Sequence, residues 1–324
     1  MKTIGVLTSG GDAPGMNAAI RSVTRTAIGK GMTVKGVYRG FNGLLNKHIE
    51  DLGVRSVSNI IERGGTTLYT ARCPEFVPLE GVRKGVKTCI DEGIEGIVVI
   101  GGDGSFRGAK DLSNEGIPCV GIPATIDNDI AATDYTIGFD TAMNTAMELI
   151  DKLRDTAQSH DRCSVVEVMG RRAGDIALYT GIACGATTIL VMESDYTVAH
   201  AIERINSTRT SRKHHFIIVV SEGFTAGNKI SADEISRQIE SETGVETRAT
   251  ILGHVQRGGT PTLRDRLVAS RLGFRAVELL SEGKGNRVVG IKGAAIVDYE
   301  INEALAMKKT FDDEMYKIAE AISF

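Results

Sequence analysis

The stretch PATIDNDI (123–130) sets two carboxylates, Asp127 and Asp129, two residues apart directly after an apolar run. An apolar run that ends in proline reads as a strand leaving a sheet, so both acids stand at a strand end. Such a pair can ligate a metal, accept a proton or simply shape a turn, because Asp and Asn side chains bond nearby backbone. A calcium loop is poorly matched. The glycine and closing glutamate of an EF-hand are missing, and Gly138 stands where that glutamate would fall. A proton acceptor fits better, since phosphoryl transfer needs an oriented carboxylate beside the attacking hydroxyl.

Two other windows suit phosphate. In GIVVIGGDGSFRGAKDL (96–112) a buried strand runs into Gly101-Gly102-Asp103-Gly104-Ser105 and a helix begins. Exposed N–H groups and the positive end of the helix dipole favour an anion there. Asp103 could hold Mg²⁺, which prefers one or two carboxylates plus phosphate oxygens, or could merely cap the helix. LTSGGDAPGMNAA (7–19) is a second strand–glycine loop–helix junction, and RGGTTLYTARCPEF (63–76) places Arg72 in a loop. An arginine beside two phosphate cradles would neutralise charge on a transferring phosphoryl group. The chain contains no G-x-x-x-x-G-K-[ST] P-loop and no well-placed dinucleotide G-x-G-x-x-G.

Further cations follow: Arg162 in SHDRCS, Arg171 and Arg172 in VMGRRAGD, Arg248 in ETRATILG, and His254 and Arg257 in GHVQRGG. Guanidinium groups match the oxygens of a phosphate monoester. Glu222, just after HFIIVVS, could accept bonds from sugar hydroxyls.

The elements that must position these residues are legible as alternation. Strands are expected at TIGVLT, TVKGVY, GIVVIGG, PCVGIP, CSVVEVM, TTILVM, HFIIVVS, TRATILG and RVVGIK, with helical periods between them. From Gly15, Met16, Ala19, Ile20, Val23 and Ala27 share one helix face, opposite Arg21 and Arg25. In 139–155, Met143, Met147, Ile150 and Leu153 read as core filling. This pattern implies α/β architecture with a parallel sheet and helices on both faces, ligands lying beyond the strands' C-terminal ends. At 324 residues two similar lobes are expected, with a boundary near DYTIGFDT (134–141).

Composition narrows the class. A net charge of −3 gives no reason to expect nucleic acid or a membrane surface as partner, and no apolar run reaches a membrane helix. MKTIGVLTSGG reads as a first strand, not a signal peptide. Five scattered cysteines without a C-x-x-C pair point to reduced thiols in the cytoplasm rather than a disulfide or zinc framework.

Taken together, GVLTSGGDAPGMNAAIR, RGGT…ARCPEF, VVIGGDGS, TIDNDI…TDYTIGFDTA, DKLRDTAQSH, VEVMGR, ETRATILGHVQRGG and DRLVASRLG strongly resemble, in order, the bacterial ATP-dependent 6-phosphofructokinase family. The resemblance covers nearly the whole chain. It implies two doubly wound lobes, each a mainly parallel sheet sandwiched by helices, with the active site in the cleft between them. The ATP-binding lobe would be 1–138 plus about 256–306, and the fructose 6-phosphate-binding lobe 139–255 plus about 307–324. The implied reaction moves the γ-phosphoryl of MgATP to the 1-hydroxyl of fructose 6-phosphate. Asp127 would accept the proton, supported by Thr125 and Asp129, while Arg72 and Arg171 stabilise the moving group. Gly11, Phe41, Arg72, Cys73, Gly102, Asp103, Gly104, Ser105 and Gly108 would line the ATP site, with Asp103 on Mg²⁺. Thr125, Ile126, Met169, Gly170, Glu222, His254, Val255, Gln256 and Arg257 would hold the sugar phosphate. Arg162 and Arg248 would reach it from a neighbouring subunit of a homotetramer.

Two positions bear on the phosphoryl donor. Pyrophosphate-dependent relatives carry aspartate where this chain has Gly104, and lysine where it has Ala124; both residues here favour ATP. Phe41 stands where many members have tyrosine. The effector pocket for ADP and phosphoenolpyruvate is matched by Arg21, Arg25, Arg154, Gly185, Lys213 and His215, with Ala186 and His214 in the same windows. It departs at Val54 (beside Arg55), Asn59, Thr187 and Ser211, which replace charged residues. Losing those charges is expected to weaken or alter effector binding.

Overall fold

The computed structural model describes residues 1–209 and 213–323. The chain begins β1 (Thr3–Thr8), α1 (Met16–Gly29), β2 (Thr33–Val37), α2 (Gly40–Leu45), β3 (Ile49–Asp51), α3 (Leu79–Asp91), β4 (Gly96–Gly101) and α4 (Asp103–Asn114). It continues through β5 (Cys119–Pro123), α5 (Phe139–Ser159), β6 (Cys163–Val168), α6 (Asp175–Ala183), β7 (Thr188–Leu190), α7 (Val198–Arg209), β8 (Phe216–Ser221) and α8 (Glu222–Asn228). The last elements are α9 (Ala232–Thr243), β9 (Thr247–Ile251), α10 (Leu263–Ser281), β10 (Arg287–Lys292), β11 (Ala295–Glu300), α11 (Ile301–Ala306) and α12 (Asp313–Ile322).

Two compact units result. Met1–Ile126, Ile130–Thr141 and Arg257–Lys309 make the first; Asp127–Asp129, Ala142–Gln256 and Thr310–Phe324 make the second. The first contains a seven-stranded sheet in the order β11-β10-β5-β4-β1-β2-β3. Its five inner strands are parallel, and β3 and β11 close the edges antiparallel. Interior parallel strands are covered on both faces, which is why GIVVIG of β4 is buried throughout. The chain leaves β1 toward β2 on one side and later builds β4 and β5 on the other. The C-terminal ends of β1 and β4 therefore meet at a topological switch point, the usual place for a ligand crevice. The second unit holds a four-stranded parallel sheet, β7-β8-β6-β9.

All nine expected strands are present, shortened by a residue or two at some ends. On α1, Met16, Ala19, Ile20, Val23 and Ala27 are buried, as the helical period implies. The reading of α5 needs correction. Its buried stripe is Ala142, Ala146, Ile150 and Ala157, while Met143, Met147 and Leu153 are only half-buried. Alanines let the helix backbone sit close to its support. The methionines, one position around the helix, fall to the margin of the stripe.

Candidate active site

The first unit brings both glycine loops and Thr125 to one sheet edge. After β1, Gly10 (φ 88°) and Gly15 (φ 105°) take left-handed backbone and lead into α1, whose N-terminus has no side-chain cap. After β4, Gly102 leads into α4, again without a side-chain cap. Both helices thus present first-turn N–H groups toward the switch point. The loops touch: a Cβ on Gly10 would lie 3.5 Å from Ser105 Oγ, and one on Gly101 only 2.3 Å from the Ser9 carbonyl oxygen. From β5, the Ala124 N–H donates to the Gly101 carbonyl at 2.9 Å, and a Cβ on Gly102 would stand 4.0 Å from Thr125 Cβ. Arg257 closes the other side, its Nη1 donating to the Asp12 carbonyl at 3.2 Å and lying 2.7 Å from where a Gly11 Cβ would be.

Gly104 behaves differently from Gly101. Its φ is not positive, and nothing outside its own helical turn lies within 4 Å of a Cβ position. The fold does not require glycine there. Asp103, at the start of α4, pairs with Arg107 at 3.0 Å. Among the described residues no cluster of three or more His, Cys, Asp or Glu side chains forms a protein metal cage. One partly exposed carboxylate at an uncapped helix start suits Mg²⁺ shared with phosphate oxygens.

The Arg72 window lacks a strand of its own, and the structure shows what holds it. Asn17 Nδ2 donates to the carbonyls of Arg63 (3.0 Å) and Gly64 (3.2 Å), and Asn17 Oδ1 accepts the Thr67 N–H at 2.7 Å. Thr8 donates to the Tyr69 carbonyl and Thr70 to the Gly10 carbonyl, each at 2.7 Å. These residues escaped the sequence reading because their partners are roughly fifty positions away. Asn17→Ala strips partners from three backbone groups. Urea denaturation should show a loss of about 1–3 kcal/mol, with a raised KM for the nucleotide as the Arg72 loop loosens.

Asp127 is 6% exposed and Ile126 fully buried. Asn128 takes a left-handed φ of 52° and donates Nδ2 to Asp175 Oδ2 at 2.9 Å, while Asp129 faces Arg171 Nη1 at 3.6 Å. Arg171 follows β6 in a left-handed conformation (φ 57°) after Gly170 (φ 142°). Glu222, after β8, secures both: its Oε1 accepts the N–H of Gly170 at 3.1 Å and that of Arg171. One oxygen of the expected sugar ligand is thus committed to backbone. Glu193 holds the far end of the same loop, accepting the Gly174 N–H at 2.8 Å. Since β8, β6 and β9 are parallel neighbours, Glu222, the half-buried Met169 with Arg171, and the exposed His254 and Val255 follow their C-terminal ends.

A phosphofructokinase family model matches residues 3–280. The ATP-dependent 6-phosphofructokinase of Bacillus thuringiensis is 57% identical over 323 residues, covering 100% of both chains. The chain belongs to the phosphofructokinase family. Among solved structures, Saccharomyces cerevisiae phosphofructokinase superposes with a TM-score of 0.87 at 35% identity, over 99% of this chain and 47% of the yeast chain. A pyrophosphate-dependent phosphofructokinase from Marinobacter aquaeolei, at 21% identity and TM-score 0.84, shares the fold; the match covers 97% of this chain and 86% of that one.

Several residues singled out through that family sit in unexpected surroundings. Phe41 is buried, stacked on Phe76 at 4.3 Å between ring centroids, and packed where a Gly108 Cβ would be 2.6 Å away. Arg72 is exposed and Cys73 half-buried, its thiol pushed up by burial. Gln256 is fully buried, with its amide nitrogen donating to the Gly253 carbonyl at 3.1 Å, so it shapes the turn. Arg162 and Arg248 share one carboxylate, Glu246, at 2.9 and 2.7 Å.

In the effector set, Arg21, Arg25, Val54, Arg55 and Asn59 belong to the first unit, and Arg154, Gly185, Ala186, Thr187, Lys213, His214 and His215 to the second. Arg154 donates to the Cys184 carbonyl, and Gly185 is left-handed at φ 58°. Burial, then the nearby Arg154 charge, pushes both Lys213 and His215 down. Thr187 is buried, and its hydroxyl has no hydrogen-bond partner among the described residues. Ser211 lies outside the described residues. All five cysteines are free; burial pushes the Cys163 thiol up to about 12 and that of Cys184 up to about 11.

Proposed function

We propose that this chain is an ATP-dependent 6-phosphofructokinase: it transfers the γ-phosphoryl group of MgATP to the 1-hydroxyl of D-fructose 6-phosphate, giving fructose 1,6-bisphosphate and ADP in glycolysis. The observation that carries this reading is the convergence of the β1 loop, the β4 loop and Thr125 at one switch point. The first-turn N–H groups of α1 and α4 bind and orient the nucleotide phosphates. Asp103 would hold Mg²⁺, which would neutralise phosphate charge when bound. Asp127 accepts the proton of the attacking hydroxyl, and Thr125 and Asp129 flank it. Arg72 and Arg171 stabilise charge spreading over the transferring group. Arg171 can do so reproducibly because two of its loop's N–H groups are fixed by Glu222. Met169, Gly170, Glu222, His254 and Arg257 hold the sugar phosphate.

In this reading the first unit is the nucleotide lobe and the second the sugar lobe. Arg162 and Arg248 complete a neighbour's sugar site in a homotetramer, and the enzyme works in the cytoplasm. Among the described residues no helix is long and apolar enough to cross a membrane. A coupled assay measuring fructose 1,6-bisphosphate with ATP or pyrophosphate as donor tests the activity. ATP should support turnover, pyrophosphate should not, and the reverse preference would refute the donor assignment.

Effector control is altered in this reading. Arg154 offers positive charge, burial works against the charge of Lys213 and His215 beside it, Thr187 supplies no carboxylate for a metal and Val54 no cation. Calorimetric titration should show weak binding of ADP and phosphoenolpyruvate, with little shift in half-saturation by fructose 6-phosphate. Tight binding with strong cooperativity shifts would sink this expectation.

A further inference from the structure

We propose that Asp265, at the start of DRLVASRLG, is a positioning residue for phosphoryl transfer, clamping the returning stem of the loop that carries Thr125 and Asp127. This rests on Asp127 being the proton acceptor.

Asp265 lies in the first turn of α10 and is fully buried. Its own helix does not use the carboxylate, because Thr262 caps α10 by accepting the Asp265 N–H at 3.3 Å. The carboxylate instead reaches across to another segment. Oδ1 accepts the Gly138 N–H at 2.8 Å, and Oδ2 accepts both the N–H of Thr141 at 2.9 Å and its hydroxyl. An ionised carboxylate suits three donors spread over both its oxygens, whereas a protonated one would turn an O–H toward one of them. Burial pushes this carboxyl up to about 6, against the pull of those three donors. A buried charge is retained here at a cost that apolar packing would avoid.

What Asp265 holds is the stem beneath the acid loop. The Ile137 N–H donates to the Pro123 carbonyl, and the Thr125 N–H to the Ile137 carbonyl, each at 3.0 Å. Thr136 Oγ1 donates to the Thr125 carbonyl at 2.7 Å. Outgoing residues 123–125 are therefore zipped to returning residues 136–138, and the clamp on Gly138 fixes both. The first glycine loop supplies the opposite wall. A Cβ on Gly138 would lie 2.6 Å from Ala13 Cβ, and one on Gly15 would lie 2.6 Å from Ile137 Cγ2 and 3.4 Å from Asp265 Cβ. Wedged between that loop and Asp265, the stem fixes Thr125 at the nucleotide cradle and anchors the chain from which Asp127 follows.

Asp265→Asn keeps the shape but leaves one accepting oxygen. Facing that oxygen to Thr141 preserves two bonds, so the amide NH₂ meets the Gly138 N–H and the stem comes loose. A displacement of about 1 Å can cost about 10²-fold in rate. D265N in the full-length chain should lose about 10²-fold in kcat, with both KM values within about threefold. Thr141→Val removes the hydroxyl on the α5 side but leaves the Gly138 bond; it should lower Tm comparably and keep kcat within about twofold. Thr136→Val cuts the next link and should reproduce the KM-sparing loss of kcat, which keeps the test alive if D265N does not fold. Wild-type kcat in D265N or in T136V would overturn the proposal, as would a kcat loss in T141V equal to that of D265N. Failure of the underlying reading shows separately, as Asp127→Asn retaining turnover.

Discussion

Asp127→Asn is expected to lower kcat for fructose 6-phosphate phosphorylation by about 10²–10⁴-fold, the range a positioned general base contributes. The side chain keeps its size and its place in the loop that follows β5, so loss of packing is a minor contribution. The asparagine amide cannot take the hydroxyl proton. KM for fructose 6-phosphate should stay within a few-fold, because in the proposed reading Met169, Gly170, Glu222, His254 and Arg257 hold the sugar phosphate. A parallel fall in kcat and kcat/KM identifies an interaction made in the transition state rather than in the ground state. Steady-state kinetics on the purified variant, with its Tm measured alongside, decides between these outcomes. Turnover near the wild-type rate would remove Asp127 from the chemistry, and a KM effect without a kcat effect would make it a binding group.

Gly104→Asp tests the donor. The backbone at 104 is ordinary and a Cβ there meets nothing outside its own turn, so the fold accepts the change. A carboxylate in the first turn of α4 even favours the helix dipole. Stability should hold or rise slightly. The nucleotide, by contrast, meets a second negative charge beside Asp103. Two unit charges about 5 Å apart at an effective dielectric near 20 repel by about 3 kcal/mol, roughly a 10²-fold loss in kcat/KM for ATP. Pyrophosphate lacks the α-phosphate and its use should not fall. A thermal melt unchanged beside a collapsed kcat/KM for ATP is the expected pair of results. Unchanged ATP kinetics would mean that no phosphate passes near residue 104.

The parts of the fold that were legible are those whose burial writes itself into apolar runs. The inner strands β1, β4, β5, β6 and β8 are covered on both faces and read directly. The two missed strands, β3 and β11, are edges. IED has three residues and no apolar run, and AIVDYE is half-exposed along most of its length. The chemistry-bearing residues were legible as types at strand ends. Their fasteners were not, because each is a long-range bond from an unremarkable residue. Asn17 holds the 63–67 loop, Glu193 holds Gly174, and Glu246 joins Arg162 to Arg248 across β6 and β9, where Ser164 pairs with Arg248. Met143 and Met147 show the converse: helical period located the face, but the small alanines took its centre.

The most direct measurement follows where the phosphoryl group goes. Phosphorus NMR of the intact chain with MgATP and fructose 6-phosphate should show ADP and a new phosphate on the 1-hydroxyl of the sugar growing together, one for one, with the 6-phosphate untouched. Release of inorganic phosphate without sugar phosphorylation, or a phosphoryl group appearing at any other hydroxyl, would contradict the assigned reaction.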